Sequence, residues 1–236
     1  MRRTLIATFA LASLLGGASA AGAQRITSPI EYIEPKQSVG FFGGYLVTDP
    51  SIAFDSTSQV SLGVRSAPIV GARYQLRFGG PISGEAALAF SPTRRDVLVA
   101  STDPGNPAPR PSGSTADAAV LMGDVGIVFQ LTGPRTWHRL APYLAVNGGL
   151  VADLAGTSAA EEDIPEAARF EFGPSFAVGG GIGTDWFPTQ RLSIRLEARD
   201  RLWRLEVPEG LRPGSPREIS EWTNNASFTL GAALHF

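Results

Sequence analysis

Cysteine is absent from the 236 residues, and histidine occurs only twice, as His138 and His235. Without cysteine there is no disulfide framework and no lipid-anchored amino-terminus, so the chain must hold itself together by hydrogen bonding and packing. With two histidines far apart, transition-metal ligation has almost no ligands to draw on. Also missing is any apolar run of 18 residues, although hydrophobic residues make up 43% of the chain. No segment beyond the amino-terminal leader is therefore built to cross a bilayer as a helix. There is no basic excess either: the formal net charge is −2, which argues against nucleic acid as a partner. A phosphate-binding loop is lacking, since Gly179-Gly-Gly-Ile-Gly183 lies inside a strand pattern. There glycine serves close approach of neighbouring backbone.

What is present begins with an export signal. Arg2 and Arg3 precede an apolar stretch from Leu5 to Leu15, and small residues follow, with acceptable cleavage sites after Ala20 and Ala23. A charged cap, a short apolar segment and a small-residue exit make a secretory signal peptide. Its removal takes both arginines with it and leaves 18 basic against 22 acidic residues. Roughly 210 residues remain, enough for one domain. The expected organisation is a signal peptide over 1–23, a periplasmic segment over 24–37 and one β domain over 38–236.

Eight strands are expected, over 38–48, 69–78, 84–91, 119–131, 142–154, 175–187, 192–203 and 225–236. Most approach the ~9–11 residues that a tilted strand needs to cross a bilayer. Their connectors alternate in length. Segments 49–68, 92–118, 155–174 and 204–224 are long, whereas 79–83 and 188–191 are short and 132–141 is intermediate. Within the strands the side chains alternate. Leu192, Ile194, Leu196, Ala198 and Leu202 fall on one face of the seventh, with Arg195, Glu197, Arg199 and Arg201 on the other. A soluble sandwich buries such an apolar face, while a membrane barrel turns it to lipid and keeps charge in the lumen. Alternation alone does not separate the two. Two details resist the pattern: the doublets Phe41-Phe42 and Gly43-Gly44 leave the facing of the first strand open and suggest a bulge, and Asp200 falls on the apolar phase of the seventh.

The last strand points one way. Ala226, Phe228, Leu230, Ala232, Leu234 and Phe236 alternate with Asn225, Ser227, Thr229, Gly231, Ala233 and His235, period 2 to an aromatic carboxy-terminus. This ending resembles the targeting strand of bacterial outer-membrane β-barrels, and with the signal peptide and the loop alternation the mature chain resembles the small OmpA/OmpX-type barrel. The resemblance implies an eight-stranded antiparallel up-and-down transmembrane β-barrel with short periplasmic turns and long extracellular loops. It also implies Phe228, Leu230, Leu234 and Phe236 as the insertion signal read by the barrel-assembly machinery, and outer-membrane lipid as the surroundings. Aromatic girdles are expected from Phe78, Phe129, Trp186, Phe187 and Phe236 on the periplasmic side, and from Phe90, Trp203 and Trp222 on the outer side.

Candidate site residues lie on the polar phase. Arg77 and Glu85 are symmetric about Pro81, and Asp185 and Arg195 about Gln190, so simple hairpins place each pair face to face. With Arg73, Asp124, Glu197 and Arg199 they form an expected lumenal ion-pair network, because an eight-stranded barrel is narrow enough for side chains to fill it and buried charges need partners. Catalysis is not expected. Small barrels that modify lipid A resemble one another in using a histidine with a serine and an acidic residue at the outer surface, whereas His138 and His235 both fall on the periplasmic side. No cofactor or metal is expected, and Glu161-Glu162-Asp163 reads as a solvated loop. The loop 101–114, rich in proline and glycine, has no aromatic anchor and names no ligand. The functional reading is a non-enzymatic barrel with a structural or cell-surface role. The alternatives are a small passive pore and a soluble periplasmic ligand-binding barrel.

Overall fold

The structure, a computed structural model, describes residues 28–53, 59–101, 108–156, 158–170, 172–212 and 218–236. The expected signal peptide and residues 24–27 lie outside the described residues. Among the described residues there are twelve strands: β1 (Ile30–Tyr32), β2 (Gln37–Thr48), β3 (Ser51–Ala53), β4 (Gln59–Ser61), β5 (Ala67–Gly79), β6 (Ile82–Val99), β7 (Arg110–Gln130), β8 (Arg135–Trp137), β9 (Leu140–Asp153), β10 (Ser175–Thr189), β11 (Leu192–Glu206) and β12 (Ser220–His235). Eight of them close into an antiparallel ring in the order β2, β5, β6, β7, β9, β10, β11, β12. The seam is β12 against β2, running from Asn225 opposite Thr48 to His235 opposite Ser38. Beyond it, the backbones of Gln37 and Phe236 exchange two hydrogen bonds at 2.9 and 3.0 Å. Closure leaves no long edge unpaired within the ring.

Period-2 alternation decides which way each side chain points. Phe41, Val125, Ile182, Leu196, Leu230 and Leu234 face outward and are exposed, Phe41 by 72%. Arg73, Glu85, Asp124, Asp185, Arg195 and Glu197 face inward and are buried. This inverts the soluble arrangement, in which charge faces water and apolar side chains form the core. In β2 the pairing with both neighbours is unbroken, so there is no bulge: Phe41 points out and Phe42 in. Asp200 lies on the outer face between its partners Gly180 and Ala226.

Four expectations need correction. The segment 92–118 is not all loop, because β6 and β7 pair on to Val99 and Arg110. Alternating burial continues through Ser91, Thr93, Arg95 and Val97. Pro92 is accommodated because the last β5 residue paired to β6 is opposite Phe90, and an edge tolerates proline. Arg77 and Glu85 are not opposite each other. A register shift near Gly79 sets Arg77 against Ser83 and Gln75 against Glu85; the turn passes through Gly80 at φ 54°, a conformation that favours glycine. Trp203 and Phe187 are not girdle residues. Both sit on the inward phase, 1% and 4% exposed.

The two ends of the barrel differ. At the long-loop end, Val60, Leu62, Val64, Phe170, Phe172, Val207 and Leu211 fold in over Leu46, Met122, Val151 and Trp203 to make one apolar cluster. At the short-turn end, β8 folds back on β9 through His138-Arg139, whose φ values of 50° and 66° match a two-residue hairpin turn of the left-handed kind. β1 then adds to β8. Past β1, Ile33 is buried with Ala141 and Phe187, so the amino-terminal strap crosses beneath the lumen.

Candidate functional site: the barrel interior

Between these two closures the lumen is ionic. Strand β11 contributes a ladder of inward charges, Arg195, Glu197, Arg199 and Arg201, at every second position. Arg195 holds both oxygens of Asp185, with Nε to Oδ1 at 2.7 Å and Nη2 to Oδ2 at 2.8 Å. It also donates to Glu85 Oε2 at 2.7 Å and to Gln75 Oε1 at 2.6 Å. Glu85 accepts in addition from Arg199 at 2.6 Å. Glu197 accepts from Arg73 at 2.9 Å, from Arg199 at 3.1 Å and from the Tyr143 hydroxyl at 2.6 Å. Arg201 donates twice to Asp124 Oδ2, at 2.9 and 2.7 Å, and once to Ser227 Oγ at 3.1 Å. Four arginines thus face four carboxylates, and each charge has an opposite partner in a medium where an unpaired one would be costly.

The network ties the whole ring together. Its members come from β5, β6, β7, β9, β10, β11 and, through Ser227, β12. Strand β2 joins by Phe42, whose ring lies 4.5 Å from the Arg73 guanidinium. Arg195 stacks similarly over Tyr143 at 4.7 Å, a contact that strengthens when desolvated. Glycine makes the room: a Cβ at Gly183 would lie 2.4 Å from the Tyr143 hydroxyl.

Of the eight residues singled out from the sequence, seven meet in this interior. Asp185 and Arg195 are register partners as well as ion-paired. Arg77 does not take part; its Nη1 instead donates to the Ile33 and Pro35 carbonyls at 2.7 and 3.2 Å, fastening the strap. Sequence reasoning passed over Arg201, although it shares the phase of Arg195 and Arg199. It also passed over Tyr143 and Gln75, whose polar ends carry no signal of their partners.

A second buried ionic group lies at the long-loop end. Arg95 pairs with Asp153 and, at 2.9 Å, with Glu161. Glu161 is 3% exposed, which corrects the reading of its acidic run as wholly solvated. It closes a short 3-10 turn as the far member of a capping box with Ser158. Ser158-Ala-Ala-Glu161 is the spacing of that motif, so a signal was there. A cleft of about 290 Å³ beside it is lined by Arg95, Asp153, Glu161, Arg169, Phe170 and Phe172, but its buried charges already satisfy one another.

The two histidines lie in different surroundings at the short-turn end. His235 Nε2 lies 2.7 Å from Ser193 Oγ, a nucleophile–base distance that no sequence pattern announced. Both side chains face the closed lumen, Ser193 with no exposure, and the neighbouring Asp185 is held by Arg195. His138 stands in the exposed β8–β9 turn. Among the described residues no group of three or more His, Cys, Asp or Glu side chains is arranged to hold a metal ion.

No family model matches the chain, and no curated protein matches it by sequence. Solved structures do resemble it. The outer membrane protein OprG from Pseudomonas aeruginosa superposes at a TM-score of 0.53 with 13% identity, over 86% of this chain and 97% of that one. The outer membrane protein AlkL, determined by solid-state NMR in DMPC lipid bilayers, gives a TM-score of 0.53 and 13% identity over 94% of this chain and 95% of its own. At such identity the likeness is one of fold: this chain has the architecture of a small outer-membrane β-barrel.

Proposed function

We propose that the chain is a non-enzymatic β-barrel of the bacterial outer membrane, with a structural or cell-surface interaction role. The short turns and both termini face the periplasm, and the long loops face outward. The outward apolar faces of all eight ring strands support the membrane setting, since a sheet with its charge inside has lipid as its compatible solvent. Phe228, Leu230, Leu234 and Phe236 share that outward face, each more than half exposed, where an assembly machinery can read them. Export by a cleaved signal peptide over 1–23 belongs to the same reading.

One observation favours a structural role over a passive pore: among the described residues, buried side chains occupy both mouths and the middle of the interior. The strap lies across the periplasmic mouth, the ion-paired layer fills the middle, and the loop side chains fill the outer mouth. A lumen of this kind stabilises the wall and offers ions no hydrated path. The test is cell fractionation with heat-dependent gel mobility. The expected result is detergent-dependent recovery from the outer membrane and a compact band that slows after boiling. Recovery from the periplasm without detergent would overturn the membrane reading.

A further inference from the structure

The ribbon formed by β1 and β8 is no part of the closed ring and carries an amphipathic surface at the short-turn end. Ile30 is opposite Trp137, and Tyr32 is opposite Arg135. Directly paired residues of an antiparallel ladder project to the same side, so these four share one face. Ile30, Tyr32 and Trp137 are exposed by 50%, 58% and 57%, and Arg135 is exposed with them. The opposite face is used, since Thr136 is 3% exposed.

This face is continuous with the lipid-facing wall. Trp137 is opposite Leu140, and Leu140 is opposite Trp186, an outward residue of the barrel that is 44% exposed. Ile30, Trp137, Leu140 and Trp186 therefore form one lateral row on the outer surface. The ribbon prolongs the wall below the ends of β6 and β7. Its composition is interfacial: two ring systems with polar edges, one aliphatic side chain and one guanidinium. Tryptophan and tyrosine settle where an apolar body meets a wet headgroup, and arginine matches phosphate oxygens in a bidentate manner.

We propose that the β1–β8 ribbon is a phospholipid-headgroup anchor. In it Trp137 and Tyr32 lie among the headgroups of the periplasm-facing leaflet, and Arg135 engages their phosphodiester groups. The proposal rests on the barrel reading above, and its test separates the two. The chain has four tryptophans, Trp137, Trp186, Trp203 and Trp222, and Trp203 is enclosed in the lumen where no lipid reaches it. A W186F/W222F chain leaves Trp137 above that constant background, and a W137F/W222F chain leaves Trp186. Both are reconstituted into phosphatidylcholine–phosphatidylglycerol vesicles, with heat-dependent gel mobility reporting that each has folded. Emission is then measured with bromine placed just below the headgroup or near the chain terminus.

The expected result is blue-shifted Trp137 emission, quenched more by shallow than by deep bromine, with Trp186 quenched as well. Arg135→Glu should weaken the quenching of Trp137 and leave that of Trp186 unchanged; no change at Trp137 would overturn the part given to the arginine. Trp137 quenched by aqueous iodide but not by brominated lipid, beside a quenched Trp186, would overturn the anchor and leave the barrel standing. A folded chain in which neither tryptophan responds to brominated lipid would overturn both.

Discussion

Replacing Arg195 by methionine removes the centre of the lumenal network while keeping much of the side-chain volume. Arg195 makes four hydrogen bonds to three residues, at 2.6 to 2.8 Å, and its side chain is 5% exposed. The losses are unequal. Glu85 keeps Arg199 at 2.6 Å and has Arg73 at 3.7 Å, so its charge stays compensated. Asp185, 1% exposed, has no other hydrogen-bond donor among the described residues and keeps only the more distant charge of Arg77, so it is left a poorly compensated carboxylate. Breaking a buried pair by removing one partner costs about 3–5 kcal/mol, whereas an exposed pair is worth about 0–1 kcal/mol. The predicted loss is in the upper range, roughly a hundred- to several-thousand-fold in the folding equilibrium. Urea unfolding of the barrel in detergent micelles, followed by tryptophan emission, measures it. Adding Asp185→Leu removes the stranded charge, so the double variant should recover much of the loss, a non-additivity expected of groups in contact. A loss below about 1 kcal/mol for Arg195→Met would mean that the pair behaves as a solvated one, and would refute a dry, closed interior.

Three further outcomes follow from the geometry. Gly183→Ala places a methyl group 2.4 Å from the Tyr143 hydroxyl and 2.7 Å from the Leu196 carbonyl; a destabilisation of about 1–3 kcal/mol is expected by overpacking, read from the same urea curves, and a neutral substitution would show that the wall yields there. Deleting Phe236 should impair assembly in cells far more than any substitution in the loop between β6 and β7, scored as the fraction of heat-modifiable protein in the outer membrane. Phe236→Ala, which keeps the backbone bonds to Gln37, separates the side chain's part from seam closure. Glu161→Gln should loosen the segment 158–170 while the barrel stays intact, seen as faster limited proteolysis there with unchanged gel mobility; equal cleavage rates would show that the Arg95 contact does not hold the loop.

Much of this architecture was legible because membrane barrels repeat a two-residue code. The seventh expected strand, with four charges on one phase and aliphatic side chains on the other, was read nearly to its ends. Asp185 and Arg195 were paired from turn symmetry alone. The same symmetry failed for Arg77 and Glu85, since one register shift at Gly79 moves every downstream partner and glycine-rich turns hide such shifts. Phe187 was misread because an aromatic pair offers two phases, Trp186 pointing out and Phe187 in, whereas Trp203 lies on the inward phase of Arg199 and Arg201. The loops were the least legible. Leu62, Phe170 and Leu211 are scattered in sequence and become one cluster only when four loops converge on the outer mouth. Three-residue strands such as β1 and β8 are too short for a periodic signal, and their partner lies about a hundred residues away.

Planar-bilayer recording of the purified full-length chain tests the closed interior most directly. The expected result is no conductance steps above the bare bilayer at neutral pH and moderate voltage. Steps should appear when Arg73 and Glu197, which bridge the lumen at 2.9 Å, are both changed to glycine. Steady ion conductance by the unaltered barrel would contradict the closed-lumen reading and restore the passive pore.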